Sequence, residues 1–357
     1  MKYAAVVLFN NKNPLSSVNY GAVTDGLLAG GVFLDEISFL PYDAPSRVAE
    51  TLQRLSLLCD GVFLVCDRIL LASAREAIEE VSGKKFSEEY LLDTSDCLFA
   101  ALPAEEGGIV RNLVVPRVDR RRGKRYGRFV LRLVAVPGDR LAKAMRAAEE
   151  VAQGKLVLHA SGRFGETRLE ALYDSETPKM TADEVLRVLV TELNDYTYAL
   201  EDVSLAQRLS DTLRLHRMKL STCESFTAGG VGQAIVSVPG ASDVFYEGLN
   251  TYSNESKRER LGVSEYTLKS KGAVSDQTAY EMAAGLIAQG KCDLSVATTG
   301  IAGPDSDGTG APVGLCYIAV GTKERVRVFR YNLEGDRETV TKTAVNLALF
   351  LAYREIK

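Results

Sequence analysis

The 357 residues are 46% hydrophobic and 25% charged, an ordinary globular balance. It excludes disorder, a collagen-like repeat or a coiled coil as a description of the whole, and at this length it predicts two domains. Lys and Arg number 43 against 47 Asp and Glu, a formal charge of −4, which argues against nucleic acid as the main partner because phosphate neutralisation supplies much of such affinity.

Strand-like apolar runs alternate with helix-like stretches from the start. Residues 3–9 read as a strand, 17–29 as a helix, 37–40 as a strand, 46–58 as a helix and 61–66 as a third strand. Residues 72–81 form another helix with Ala74, Ala77, Ile78 and Val81 on one face. Such alternation implies a parallel sheet covered by helices. Residues 110–115 and 129–136 then read as strands flanking the basic run 117–125, which is expected to be a solvated hairpin or loop crossing. Pro137, Gly138 and Asp139 start a helix over 140–152, and 155–159 is a further strand.

Composition shifts at 161–178, which is polar and short-patterned, before an amphipathic helix at 182–193. A boundary is expected near 190–200. Beyond it come a helix at 204–217, a strand at 219–222, a turn from Glu224 into a helix at 230–236, strands at 244–249, 294–299, 313–320 and 325–333, and a closing helix at 337–354. The longest apolar runs are strand-length, far below the ~20 residues a membrane span needs. The apolar stretch before Asn10 is too short for a signal-peptide core. No membrane partner and a cytoplasmic location are expected.

The cysteines at 59, 66, 97, 223, 292 and 316 make no C-x-x-C pair and mostly sit in apolar strands. They read as reduced, buried thiols. With only His159 and His216 in the chain, a His/Cys zinc site and a Ser-His-Asp triad are both set aside, and no metal or cofactor is expected. A P-loop is missing around Gly83-Lys84-Lys85, and the glycines of 308–314 miss the dinucleotide spacing.

Four segments of the second half can carry chemistry. The strand ending at Thr222 runs into Cys223-Glu224-Ser225-Phe226-Thr227-Ala228-Gly229-Gly230, a small-residue turn that presents backbone N–H groups to an oxyanion or phosphate, with Ser225 as a candidate nucleophile or simply a helix cap. Lys257 follows Tyr252, Ser253 and Asn254. It reads either as a solvated helix residue or as a desolvated base replacing histidine. Thr298-Thr299-Gly300-Ile301-Ala302-Gly303-Pro304 follows a strand end, a usual ligand position in open α/β sheets. Arg337, after Gly335 and Asp336, can hold phosphate or carboxylate, or form a surface ion pair.

Taken in order, these segments resemble the C-terminal domain of the CinA family, the nicotinamide mononucleotide (NMN) amidohydrolases. The counterparts of the family motifs are residues 223–229, 251–257, 272–275, 298–304, 312–317 and 335–337. The resemblance implies a serine–lysine dyad at Ser225 and Lys257, and conversion of NMN and water to nicotinate mononucleotide and ammonia. It further implies orienting roles for Tyr252 and Asn254, an oxyanion site near Thr227–Gly229, and phosphate binding by Arg337 or the loop of Thr299, Gly300 and Gly303. Phe226 stands where the family usually has cysteine, and Ala228 where it has its first glycine.

The first half resembles the family's molybdopterin-binding-like N-terminal domain more weakly, through 134–138 and Arg163-Phe164-Gly165. The acidic, glycine-rich loop of the family's ADP-ribose pyrophosphatase reads here as 65–72, without its paired carboxylates, and its early motif is replaced at 9–14. The implied fold is α/β, two α/β/α sandwich domains: a degenerate domain at 1–160, a shortened middle element at 161–200 and an amidohydrolase domain at 201–357. A homodimer is expected. The alternatives are a metal-dependent nucleotide pyrophosphatase in the first half and a non-catalytic protein linked to competence.

Overall fold

The structure is a computed structural model describing residues 1–9, 20–305, 308 and 310–357. It divides into two compact units, Met1–Arg128 with Gly154–Val157 and Leu172–Ala182, and Phe129–Gln153 with Leu158–Ala171 and Asp183–Lys357. The fold is mixed α/β throughout. The replaced early motif at 10–14 and the first turn of the helix expected from residue 17 lie outside the described residues.

In the first unit β1 (Tyr3–Phe9), α1 (Gly21–Ala29), β2 (Glu36–Pro41), α2 (Pro45–Leu58), β3 (Gly61–Cys66), α3 (Leu71–Ser82), β4 (Leu91–Asp93) and β5 (Leu98–Pro103) form a sheet of order β2-β1-β3-β5-β4 with its helices. β1 runs parallel to β2 and β3, and β3 to β5. Near-continuous apolar strands are expected where helices cover both faces. Here Val6, Leu64 and Ala101 pack on one side with Leu52 and Ile78, while Val7, Phe63 and Leu102 pack on the other with Val23 and Leu27.

Residues 110–115, expected as a strand, are helical: a turn α4 (Gly107–Ile109) and a π-helical turn (Val110–Val114) lead into α5 (Val115–Arg122). The β-branched run misleads because Val110, Val114 and Val118 fall four apart, on the face packed against α1 and the sheet. The basic run is accordingly a helix end, not a hairpin. Among the described residues four of its six cations are in ion pairs: Arg117 with Glu88 and Asp93, Arg121 with Asp93, Arg122 with Asp119 and also with the carbonyls of Gly30 and Gly31, and Lys124 with Asp174 and Glu176; Arg120 bonds only the Pro116 carbonyl.

There follow β6 (Tyr126–Val134), α6 (Gly138–Ala152), β7 (Leu156–Arg163), β8 (Glu166–Asp174), α7 (Lys179–Leu193) and β9 (Thr197–Ala199), the strands pairing in the order β7-β8-β6-β9. The polar stretch at 161–178 therefore contains a strand that the sequence pattern hides. Phe164 (φ 55°) and Gly165 (φ 74°) make a tight turn between β7 and β8. The charges that obscure β8 are paired, Arg168 with Glu170 and Asp202.

The second unit continues with α8 (Leu205–His216), β10 (Leu220–Glu224), α9 (Gly230–Val236), β11 (Phe245–Asn250), α10 (Asn254–Leu261), α11 (Glu265–Ser270), α12 (Asp276–Ala288), β12 (Leu294–Gly300), β13 (Leu315–Thr322), β14 (Val326–Asn332) and α13 (Arg337–Ile356). Its sheet has the order β11-β10-β12-β13-β14, with β10 parallel to both neighbours and β13 antiparallel to β12 and β14. Leu220, Val296 and Ile318 face α8, α9 and α13 through Leu209, Ile235 and Leu347, while Cys223, Ala297 and Ala319 face α10 and α12 through Leu261 and Met282. All six cysteines are free and buried. Among the described residues no helix is long and apolar enough to cross a membrane.

Helix α12 approaches α10 so closely that a Cβ on Gly285 would drive into the Leu261 backbone carbonyl, whereas one on Gly108 would meet nothing within 4 Å. Gly285→Ala is expected to cost about 1–3 kcal/mol by overpacking, read as a lower urea midpoint. Gly108→Ala, which removes only unfolded-chain freedom, is expected to leave the midpoint unchanged or raise it slightly.

Candidate active site

Parallel strands put their C-terminal ends on one side of a sheet, and loops there form sites at a topological switch point. β10 ends with Glu224 beside Thr298, two residues before the end of β12, and the Ser225 N–H donates to the Thr298 carbonyl at 3.0 Å. β11 ends beside Glu224 at Asn250, and the Thr251 N–H donates to the Glu224 carbonyl at 2.8 Å. The three chain ends therefore leave the sheet side by side.

From β11 the chain turns directly into α10, whose first turn is capped by the Ser253 hydroxyl accepting from the Ser256 N–H at 3.1 Å. Side chains on a helix lean toward its N-terminus. Lys257, one turn in, thus folds back over the residues preceding the helix. In its ammonium form Nζ donates to the Thr251 carbonyl at 2.8 Å, the Tyr252 carbonyl at 3.1 Å and Ser225 Oγ at 3.1 Å.

Lys257 is 1% exposed and Ser225 9%, and no carboxylate bonds the amine among the described residues. Burial pulls the lysine down from 10.5 to about 8, the neighbouring Cys223 acting weakly in the opposite sense. The Cys223 thiol is itself pushed well above its ordinary range by burial. It stays protonated and is no rival nucleophile.

A cavity of about 300 Å³ opens beside the pair, lined by Ser225, Phe226, Tyr252, Lys257, Ala273, Val274, Thr299, Gly300, Ile301, Ala302, Gly303, Asp305 and Arg337. Arg337 enters from the start of α13, where the Asp336 carboxylate caps the Thr339 N–H at 2.8 Å; Arg337 Nη1 donates to the Gly303 carbonyl at 2.6 Å. The Thr299 hydroxyl donates to the Ala273 carbonyl at 2.7 Å, tying the 272–275 loop to the end of β12. Phe226 packs on Ala302, Cys316, Val340 and Ala344, so its bulk anchors the loop to α13 while part of it lines the cavity.

The cavity brings together Ser225, Lys257, Tyr252, Thr299, Gly300, Gly303 and Arg337, but not Thr227, Gly229 or Asn254. Asn254 is an exposed residue in the first turn of α10. The Tyr252 side chain is 68% exposed, and its contribution to Lys257 is its backbone carbonyl.

Thr227 Oγ1 and the Gly229 N–H both turn away from the cavity to the Glu224 carboxylate, at 2.7 and 3.0 Å. The expectation of oxyanion donors reaching as far as Gly229 is therefore corrected, since that N–H is already spent. Glu224, 1% exposed, was legible only as a motif letter; nothing in the one-dimensional pattern tells an inward-facing carboxylate from a solvated one. Among the described residues no three His, Cys, Asp or Glu side chains converge to hold a metal ion.

Ala228 has φ 52°, the left-handed region that costs an L-residue roughly 1–2 kcal/mol. Ala228→Gly relieves that strain at the expense of a floppier unfolded chain. The expected net effect is a gain of up to about 1 kcal/mol in urea unfolding.

Residues 202–356 match the CinA C-terminal domain family. A Clostridium acetobutylicum relative named for competence-damage induction is 33% identical over 74% of this chain and 66% of its own. A CinA-like protein of Fusobacterium nucleatum is 37% identical over 48% of this chain and 42% of its own. The chain thus spans between about two fifths and two thirds of the length of such curated relatives. Among solved structures, a CinA superfamily protein of Klebsiella pneumoniae is 29% identical, covers 43% of this chain and 95% of its own, and has a TM-score of 0.42. A competence/damage inducible protein of Agrobacterium tumefaciens is 35% identical, covers 41% of this chain and 90% of its own, and has a TM-score of 0.40. The chain belongs to the CinA family, with its CinA C-terminal domain at residues 202–356.

Proposed function

We propose that residues 201–357 hydrolyse the carboxamide of NMN to nicotinate mononucleotide and ammonia, with Ser225 as nucleophile and Lys257 as general base. The observation that carries this reading is the set of partners around Lys257 Nζ. A neutral amine has two hydrogens and one lone pair. The Thr251 and Tyr252 carbonyls can only accept, so they take the two hydrogens and leave the lone pair facing Ser225 Oγ.

The lone pair accepts the Ser225 proton as Oγ attacks the carboxamide carbon. The oxyanion falls to the N–H groups of Phe226 and Thr227, which take no partner among the described residues. The Lys257 ammonium then protonates the amide nitrogen, the C–N bond breaks and ammonia leaves. Neutral Lys257 next takes a proton from water, which attacks the Ser225 ester. Collapse of the second tetrahedral intermediate returns that proton to Oγ and frees the carboxylate product.

The choice of substrate rests on family relationship and on the cavity. Phe226, Tyr252, Val274 and Ile301 offer apolar surface to a flat pyridine ring. Arg337 has one described side-chain bond, through Nη1 to Gly303, leaving guanidinium donors for a phosphate.

Ammonia release from NMN without added metal tests the reading. Ser225→Ala and Lys257→Ala are each expected to lose at least ~100-fold in kcat; an inert wild type, or variants that keep turnover, would overturn it. Because the base is the deprotonated lysine, kcat/KM should rise with pH up to about 8 and level off above it. A profile flat between pH 6 and 9 would exclude Lys257 as the base. Arg337→Ala should raise KM for NMN by about 10–100-fold, the worth of a charged hydrogen bond, with little change in kcat. Equal KM for NMN and its dephosphorylated nucleoside in the wild type would remove the phosphate role.

A further inference from the structure

From Ser225 to Gln233 every backbone N–H but two has a described partner. Ser225 donates to the Thr298 carbonyl, Ala228 to Ser225, Gly230 to Thr227 and Gln233 to Gly229. Gly229, Val231 and Gly232 donate to the Glu224 carboxylate at 3.0, 3.1 and 2.9 Å. The exceptions are Phe226 and Thr227, in residues only 5% and 7% exposed. Unpartnered N–H groups in so buried a place are rare, and are tolerated where something else is to bind them.

The loop could close on itself in other ways. A strand-to-helix turn usually leaves the first N–H groups of the helix open, which here would be those of Val231 and Gly232. The buried Glu224 carboxylate accepts both, together with the Gly229 N–H and the Thr227 hydroxyl at 2.7 Å. The Thr227 hydroxyl is also 2.6 Å from Thr298 Oγ1, and Thr298 supplies the carbonyl that fixes the Ser225 N–H. One carboxylate thus ties the helix start, the loop and the end of β12 together, and the two free N–H groups immediately follow the nucleophile.

We infer that Glu224 is a positioning residue of the reaction, holding the loop so that the Phe226 and Thr227 N–H groups stay aimed at the developing oxyanion. It lines no part of the cavity and touches no reacting atom, so it acts only through the loop. The inference rests on Ser225 being the nucleophile. It concerns any acyl or phosphonyl group delivered to that serine, and not NMN alone.

The conservative variant is Glu224→Gln, which keeps the shape but turns an NH₂ donor toward an N–H donor. Two readouts are taken on the full chain: NMN turnover, and the second-order rate at which a fluorophosphonate labels Ser225. Loss of an oxyanion donor costs about 100-fold or more. Glu224→Gln is therefore expected to lower kcat by at least about 30-fold, with KM changed less than about threefold and the acid limb with its midpoint near 8 retained. The labelling rate should fall in parallel.

A folded Glu224→Gln protein with wild-type turnover and labelling overturns the inference. So does one whose loss is confined to KM or which moves the pH limb. If Glu224→Gln fails to fold, Thr227→Val decides, since it removes one of the four bonds to the carboxylate. A labelling rate at least about fivefold lower, recovered by Thr227→Ser, supports the inference, and a wild-type rate overturns it. A wild type that labels at Ser225 but leaves NMN intact overturns the substrate reading alone, the labelling ratio still deciding the role of Glu224. If Ser225 does not label, both fall.

Discussion

An amine placed in a protein interior must either find a carboxylate or give up its proton, because the low dielectric penalises the isolated charge. Among the described residues Lys257 is buried without a carboxylate partner and has two carbonyls and a hydroxyl instead. Most of the local architecture of the second unit follows from that choice. The abrupt passage from β11 into α10 sets the two carbonyls within reach of Nζ. The close packing of α12 through Gly285 keeps α10 in place. The inward face of the 223–232 loop brings the hydroxyl. A carboxylate beside Nζ would have raised its proton affinity.

A second buried charge lies one residue before the serine and is handled in the opposite way. Glu224 accepts from three N–H groups and a hydroxyl, the environment in which a carboxylate is comfortable. The two residues are partnered in contrasting ways: the Lys257 amine meets only two carbonyls and a hydroxyl, while the Glu224 carboxylate is saturated with donors.

The first unit shares the helix-covered sheet but shows no comparable poised group among its described residues. Its basic run, the one stretch of the chain that invites a nucleic-acid reading, is bound up with Glu88, Asp93, Asp119, Asp174 and Glu176. Beyond the end of β3, Arg68 pairs with Glu106. These are the contacts of a solvated surface whose charges are largely, though not wholly, compensated internally.

Much of this protein was legible without coordinates. Period-two and helical patterns marked most strands and helices, because burial of one or both faces imposes them on the residues directly. The ordered motifs from Cys223 to Arg337 pointed to residues that the fold brings around one cavity, among them Ser225, Lys257, Thr299 and Arg337. The pattern failed where tertiary packing overrode local preference. Val110, Val114 and Val118 became a helix because α1 and the sheet offered a face for them, β8 hid behind ion-paired charges, and β5 went unmarked between loops. Only the folded chain decided which way Glu224 points and, among the described residues, which N–H groups remain open and that Lys257 sits without a counter-charge. Each of these depends on what lies beside a residue in space, and spacing along the chain carries no record of that.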